Sequence, residues 1–419
     1  MMTLFSIRNH LQSGYMFLVQ NKRIYLDHAS ATPIDARVYN DMKPYLEEKF
    51  HNPSALYTEA VETRAVIEAA RHTVADLLRA RPQEIVFVDG ATEGNNMAIL
   101  GTVRAWQKQH HGEVPHVITT SIEHASVYEV CRHLENEGVQ VTYLNVDTEG
   151  QIHLQELKQS ITPNTVVVSI GYVNGEIGTI QDIRGVMKAV RHYRKHNTSS
   201  YPYVHTDAVQ AVNYVEEIGV PQLGVDLMVI NAAKIYGPKK IATLYVKTGV
   251  AIEPILYGGN QERTLRSGTE HVAGIVGMAR SLSLARKHQP SESLRLTSIK
   301  NYFVSKLQDN FPDIVINASD GESIPNIVNV TFPHISHEEI VIRLDAQGIM
   351  CSVKSACKAG EDGDSHVIQA ITNGADRPTG SIRFSMGRTT TKRDIDRTFR
   401  ALHTIVHSMN DTYTKYYQS

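Results

Sequence analysis

Three cysteines in 419 residues, Cys131, Cys351 and Cys357, are too few for a disulfide framework and point to a reducing compartment. An excess of one charge is also missing. Forty-two Lys and Arg stand against 44 Asp and Glu, a formal net charge of −2, so nothing calls for nucleic acid or an anionic membrane as partner. No apolar run approaches the roughly 20 residues that span a bilayer. Met1 to Gly14 shows neither a basic leader with an apolar core nor a small-residue cleavage pattern. Internal repeats and low-complexity tracts are absent too. These absences lead to the expectation of a soluble cytoplasmic protein without membrane or nucleic-acid contacts.

What remains is a chain long enough for two or three domains and a large core. Residues 1–15 carry little pattern and are expected to form a disordered extension, with Met1 and Met16 both open as the start. Residues 16–35 follow as a segment expected to pack with a smaller domain. Residues 36–288 are expected to form a large domain, in which short β-branched runs alternate with helical patterns from about 60 to 250. The strand candidates are Glu84–Val88, His116–Thr119, Val139–Leu144, Thr165–Ile170, Tyr203–Thr206, Leu227–Ile230 and Ala242–Val246. Helices are expected at Ala60–Ala80, Ser126–Glu137 and Ile183–His196 between them. This alternation predicts an α/β domain with a mostly parallel sheet. Gln289-Pro-Ser-Glu-Ser293 resembles a break, after which residues 289–419 read as a smaller α+β domain.

Two residues carry the first chemical signal. Asp207 ends one strand run, and Lys234, 27 residues on, follows another. Strand ends are where open α/β sheets gather ligand contacts. A lysine amine for a Schiff base, with a carboxylate to keep a ring nitrogen protonated, is what pyridoxal 5′-phosphate (PLP) requires of a protein. Asp89-Gly-Ala-Thr-Glu-Gly-Asn-Asn96 follows a strand and opens a helix, so the amides of Ala91 and Thr92 offer a phosphate cup. His124 follows another strand, where a flat ring can stack on a pyridine and exchange protons near neutrality. Cys357 lies among small residues between Lys354 and Lys358, a setting that favours the thiolate, whereas Cys131 sits in an apolar run. Arg383 alternates with apolar neighbours on a strand; turned inward, it would clamp a carboxylate.

In this order the pieces resemble the cysteine desulfurases of the class V aminotransferase family, in the branch that serves nitrogen fixation and iron–sulfur cluster assembly. The resemblance runs from about Ile24 to Met409. It rests on Tyr25-Leu-Asp-His-Ala-Ser-Ala-Thr-Pro33, Asn52-Pro-Ser54, Gly90-Ala-Thr-Glu93, Glu123-His124, Lys234-Ile-Tyr-Gly-Pro238, Arg266-Ser-Gly-Thr269, Ser355-Ala-Cys357 and Ser381-Ile-Arg-Phe-Ser385. It implies the aspartate aminotransferase-like fold type I, with a seven-stranded sheet in a large PLP-binding domain, a small domain carrying the Cys357 loop, and a homodimer. It also implies roles: Lys234 for the Schiff base, Asp207 for the ring nitrogen, Gln210 for the ring hydroxyl and His124 for stacking. Ala91, Thr92 and Asn231 would hold the phosphate, joined by Thr269 from the neighbouring subunit. Arg383 would bind the carboxylate of L-cysteine. Cys357 would take the sulfur as a persulfide and pass it to a scaffold or sulfur-carrier protein, for iron–sulfur clusters or for tRNA thiolation.

The sequence departs from the family pattern at three places. Gly175 stands where a second Asn is usual, with Asn174 as the substrate contact that would compensate; Ala233 stands before the lysine in place of His; Lys354 replaces a usual glycine. Two other readings stay open on these grounds: another class V reaction, such as selenocysteine cleavage or β-elimination, and a catalytically impaired partner protein.

Overall fold

A computed structural model describes residues 23–318, 321–333, 335–353, 365–372 and 381–417. The expected extension at 1–15, and Cys357 with its flanking lysines, lie outside these residues. The chain enters through a two-residue strand, β1 (Ile24–Tyr25). Seven strands then follow: β2 (Ile85–Val88), β3 (His116–Thr120), β4 (Gln140–Leu144), β5 (Thr165–Ser169), β6 (Tyr203–Asp207), β7 (Leu227–Asn231) and β8 (Ala242–Val246). They form one sheet in the order β2-β8-β7-β6-β5-β3-β4. Every pair from β7 through β4 is parallel, while β8 runs antiparallel to both its neighbours. Helices cover both faces, so β2, β3, β5 and β8 are buried at every position, and β2 reads in the sequence as an unbroken apolar run. All seven expected strands are present.

The parallel strands end on one side, and β6 and β7 deliver Asp207 and Asn231 to it side by side, with Lys234 closing a short 3₁₀ turn just beyond. The crossover geometry of a parallel sheet therefore does the first work of building a site.

The second core belongs to the C-terminal part. Strand β9 (Val315–Ile316) pairs antiparallel with β10 (Ile327–Thr331), and β10 pairs with β12 (Ile382–Ser385). Strand β1 pairs in parallel with β11 (Ile349–Met350), so the N-terminal segment joins this layer, and Ile24 and Leu26 enter its apolar cluster. The expected break at Gln289–Ser293 is not there: a single helix runs from Val272 to Asn310 with Pro290 inside it. Its two halves face different cores. Ile275, Met278, Leu282 and Ala285 pack into the large domain, and Leu296, Ile299, Phe303 and Leu307 into the small one. Proline costs the helix a hydrogen bond at this changeover, and Gln289 and Ser293 stitch the weakened turn to the carbonyl of Tyr214 at 3.0 Å each. Among the described residues no helix is long and apolar enough to cross a membrane.

One buried ion pair shapes the surface loop that leads to Thr269. Glu262, Arg263 and Thr264 adopt left-handed φ of 43°, 57° and 65°, a conformation disfavoured for three successive side-chain-bearing residues. Arg71 grips Glu262 through two bonds of 2.7 and 2.9 Å, and Glu262 also accepts the amide of Phe87 at 2.7 Å. Glu262→Ala leaves the Arg71 charge buried and the turn unheld. The expected loss is about 3–5 kcal/mol, measured as a lower denaturant midpoint with an unchanged slope.

Candidate active site

The sequence-predicted residues converge on a cleft between the ends of the parallel strands and the small domain. Ala91, Thr92, His124, Asn174, Asp207, Gln210, Asn231, Lys234 and Arg383 all line it. Thr269 does not; it is exposed on the loop beyond Gly268. Gly90, at φ 135°, turns the chain off β2 so that the helix Ala91–Gln107 starts at the cleft wall. A Cβ at Gly90 would meet nothing, so its glycine serves the backbone angle.

Lys234 reaches back to the N-terminal segment. Its Nζ donates to the carbonyls of Ala29 at 2.8 Å and Ser30 at 2.5 Å. Gln210 Nε2 donates to the same Ala29 carbonyl at 2.9 Å. A Cβ at position 175 would lie 3.3 Å from that Gln210 nitrogen, so Gly175 makes room for this side-chain placement. Asn174 is occupied with its own turn. Its Oδ1 accepts the amides of Glu176 and Ile177 at 2.8 and 3.0 Å, and its Nδ2 donates to the Ile122 carbonyl at 2.9 Å. The compensation expected of Asn174 would therefore require that turn to open.

Arg383 is inward and 2 % exposed. Its Nη1 donates to the Gly175 carbonyl at 2.9 Å, and Nη2 donates to Asp27 at 2.9 Å and to the Ser30 hydroxyl at 2.6 Å. Its Nε is buried with no hydrogen-bond partner. A buried guanidinium with one donor still unmet fits an incoming carboxylate.

Sequence reasoning assigned nothing to Asp27, Ser30, Glu123, Asn95 or Ser126. Asp27 and Arg383 lie 356 positions apart; only the quoted Tyr25–Pro33 motif marked the segment. Glu123 is fully enclosed. Burial is the main influence on its carboxyl, pushing it up to about 7 against donation from Gly171 N at 2.9 Å and Thr120 Oγ1 at 2.8 Å. Its ordinary value is 4.5, so between these two values the unfolded chain ionises while the folded one stays protonated. Stability falls across that window by up to about 3 kcal/mol and is flat above it. Glu123→Gln keeps both acceptor contacts without the titration. Thermal melts should show the variant level with the parent near pH 4.5 and more stable at pH 8.

The other two cysteines are poor nucleophiles. Burial pushes Cys131 up to about 12 and raises Cys351 as well.

Comparison with known proteins decides the family. The aminotransferase class-V profile matches residues 24–398. The chain belongs to this family. A cysteine desulfurase IscS of Dictyoglomus turgidum is 39% identical over 388 residues, covering 93% of this chain and 95% of the relative. One of Methanosarcina thermophila is 37% identical over 402 residues, covering 96% of each. Among solved structures, a NifS-like protein superposes with a TM-score of 0.83 at 32% identity, covering 92% of this chain and 99% of its own. A structure of SspA in complex with cysteine gives 0.73 at 33% identity, covering 87% and 98%. The fold is that of the fold type I PLP enzymes, and PLP is the cofactor of this class V enzyme.

The cleft fits that cofactor. A helix N-terminus at Ala91 and Thr92 suits a phosphate, the Asp207 carboxylate stands at a strand end, and the amine of Lys234 lines the same space.

Proposed function

We infer that this chain is a cysteine desulfurase that converts L-cysteine to L-alanine and takes the sulfur as a persulfide on Cys357. The observation that carries the reading is the gathering of Lys234, Asp207, His124 and the half-satisfied Arg383 around one cleft. Identity to cysteine desulfurases over nearly the whole chain supports it.

Bound PLP would draw electrons from the substrate Cα. Lys234 would hold it covalently, Asp207 would keep its ring nitrogen protonated, His124 would stack on the ring and Gln210 would face its hydroxyl. Ala91, Thr92 and Asn231 would hold the phosphate. Arg383 fixes the substrate carboxylate, and Lys234 Nζ takes the Cα proton. The Cys357 thiolate attacks the substrate sulfur, the Cβ–S pair of electrons stays with Cβ, which one proton completes as a methyl group, and Lys234 Nζ returns a proton to Cα to give alanine. His124 is suited to carry that proton.

A homodimer belongs to the same reading. Phe50, Leu56 and Tyr257 are 73%, 92% and 75% exposed. Their segments meet at a surface cleft lined by Pro53, Ser54, Asn260 and Gln261. Exposed apolar side chains of this size favour a protein partner, and a second copy there would bring Thr269 to the neighbouring phosphate. The persulfide would then pass to an iron–sulfur scaffold or a sulfur carrier, for clusters or for tRNA thiolation, in the cytoplasm. Mass spectrometry after exposure to cysteine tests the core claim. One added sulfur on the peptide holding Cys357, with alanine released, is expected; sulfur on Cys131 or Cys351, or none, refutes it.

A further inference from the structure

Asp207 ends β6 and His124 stands at the start of the helix after β3, yet a continuous chain of hydrogen bonds joins them. Asn95, fully buried on the helix Ala91–Gln107, donates from Nδ2 to Asp207 Oδ2 at 2.7 Å and to Ser126 Oγ at 2.9 Å. Ser126 Oγ lies 2.8 Å from His124 Nδ1, and the Ser126 amide donates to the same nitrogen at 3.1 Å. His124 thereby caps the helix Ala125–Asn136 with its own ring.

The protons in this chain are fixed by elimination. Turning the Asn95 amide over would set its oxygen against the Asp207 carboxylate, acceptor to acceptor, so both amide hydrogens point outward to Asp207 and Ser126. Ser126 Oγ accepts one of them and has a single proton of its own, which goes to His124 Nδ1. Nδ1 also receives a backbone N–H, so it carries no proton, and the neutral ring is protonated at Nε2. Asn95 Oδ1 is left buried without a partner. An aliphatic side chain would fill this position without that orphan, so the two donors are what asparagine contributes.

We propose that Asn95 and Ser126 are positioning residues that lock His124 as its Nε2–H tautomer and tie it to Asp207. This rests on the reading of His124 and Asp207 as the two side chains that meet the cofactor ring. Under it, one network sets both the carboxylate at the ring's edge and the imidazole on its face, and His124 delivers its proton from Nε2. The tautomer and the carboxylate are then coupled, so disturbing the hydroxyl of Ser126 is felt at the imidazole before it is felt at the substrate.

The test uses protein carrying ¹⁵N-labelled histidine, with and without PLP, the His124 signals being assigned by their loss in His124→Asn. The parent is expected to show Nδ1 unprotonated and Nε2 protonated in both forms. Ser126→Ala should populate the Nδ1–H form and lower kcat about tenfold, with KM for cysteine unchanged because Arg383 is untouched. Ser126→Thr, which restores the hydroxyl, should recover both. A parent with Nδ1 protonated, or a Ser126→Ala protein with the parent's tautomer and kcat, overturns the proposal. Failure of the parent to release alanine while the tautomer is as stated would overturn the desulfurase reading and leave the lock standing.

Discussion

Lys234→Ala is expected to abolish alanine release from cysteine, a fall of at least about a thousandfold, in a protein that stays folded. Two roles vanish together under the proposed reading: the covalent link to the cofactor and the base for the Cα proton. The amine's surroundings make the variant a clean one. Nζ contacts two backbone carbonyls of the N-terminal segment, Ala29 and Ser30. The Ala29 carbonyl keeps its Gln210 donor after the substitution, so no wholly orphaned acceptor is created there. Lys234→Arg is the sharper companion, because it restores a permanent cation at this position without a nucleophilic amine. If the residue acted only through charge, Arg would rescue; equal loss in both variants, with unchanged far-ultraviolet circular dichroism, assigns the effect to the amine. Borohydride reduction supplies a readout besides turnover. It should fix PLP to the peptide holding Lys234 in the parent and to no peptide in either variant.

The difference between what sequence and structure reveal follows from how each feature is encoded. The strands were legible because both faces of the sheet are covered: Val166 to Val168 and Leu227 to Ile230 are enclosed and had to be continuous apolar runs. Asp207 and Lys234 were legible as well, since a charged residue closing such a run is conspicuous. The helix through Pro290 was not, because a proline beside Ser and Glu reads as a break. What overrides it is burial on either side, in two cores that local pattern cannot distinguish. The Asp27–Arg383 pair and the Asn95–Ser126 chain were illegible for another reason. Each joins polar residues far apart in the chain, and a buried asparagine looks no different from an exposed one until its partners are in place. Lys234 itself illustrates the limit: its place beyond a strand end was readable from the chain, its contacts with Ala29 and Ser30 were not.

Cys357→Ala should separate cofactor chemistry from sulfur chemistry. The described residues on either side of this position are tied to the cleft. Ser352 exchanges backbone hydrogen bonds of 3.2 and 2.7 Å with Arg383, while the Ser365 hydroxyl donates to Glu176 and His366 Nε2 bonds the Glu123 carbonyl at 3.0 Å. Cys357 follows Ser352 by five residues, a tether of at most about 18 Å, so its thiol has the reach to meet a substrate held at Arg383. The variant should therefore still bind PLP and still change its visible spectrum on adding cysteine. Alanine release should drop at least about a hundredfold, and no sulfur should be found on the protein. Cys131→Ala and Cys351→Ala should keep near-parental rates, because burial holds both thiols protonated. Selenocysteine offers the discriminating substrate. Selenium leaves carbon more readily than sulfur and does not depend on a protein thiolate, so Cys357→Ala should process it while failing on cysteine. Full alanine release from cysteine in this variant would instead assign the chain to the lyase reactions of its family, with Lys234 essential and Cys357 dispensable.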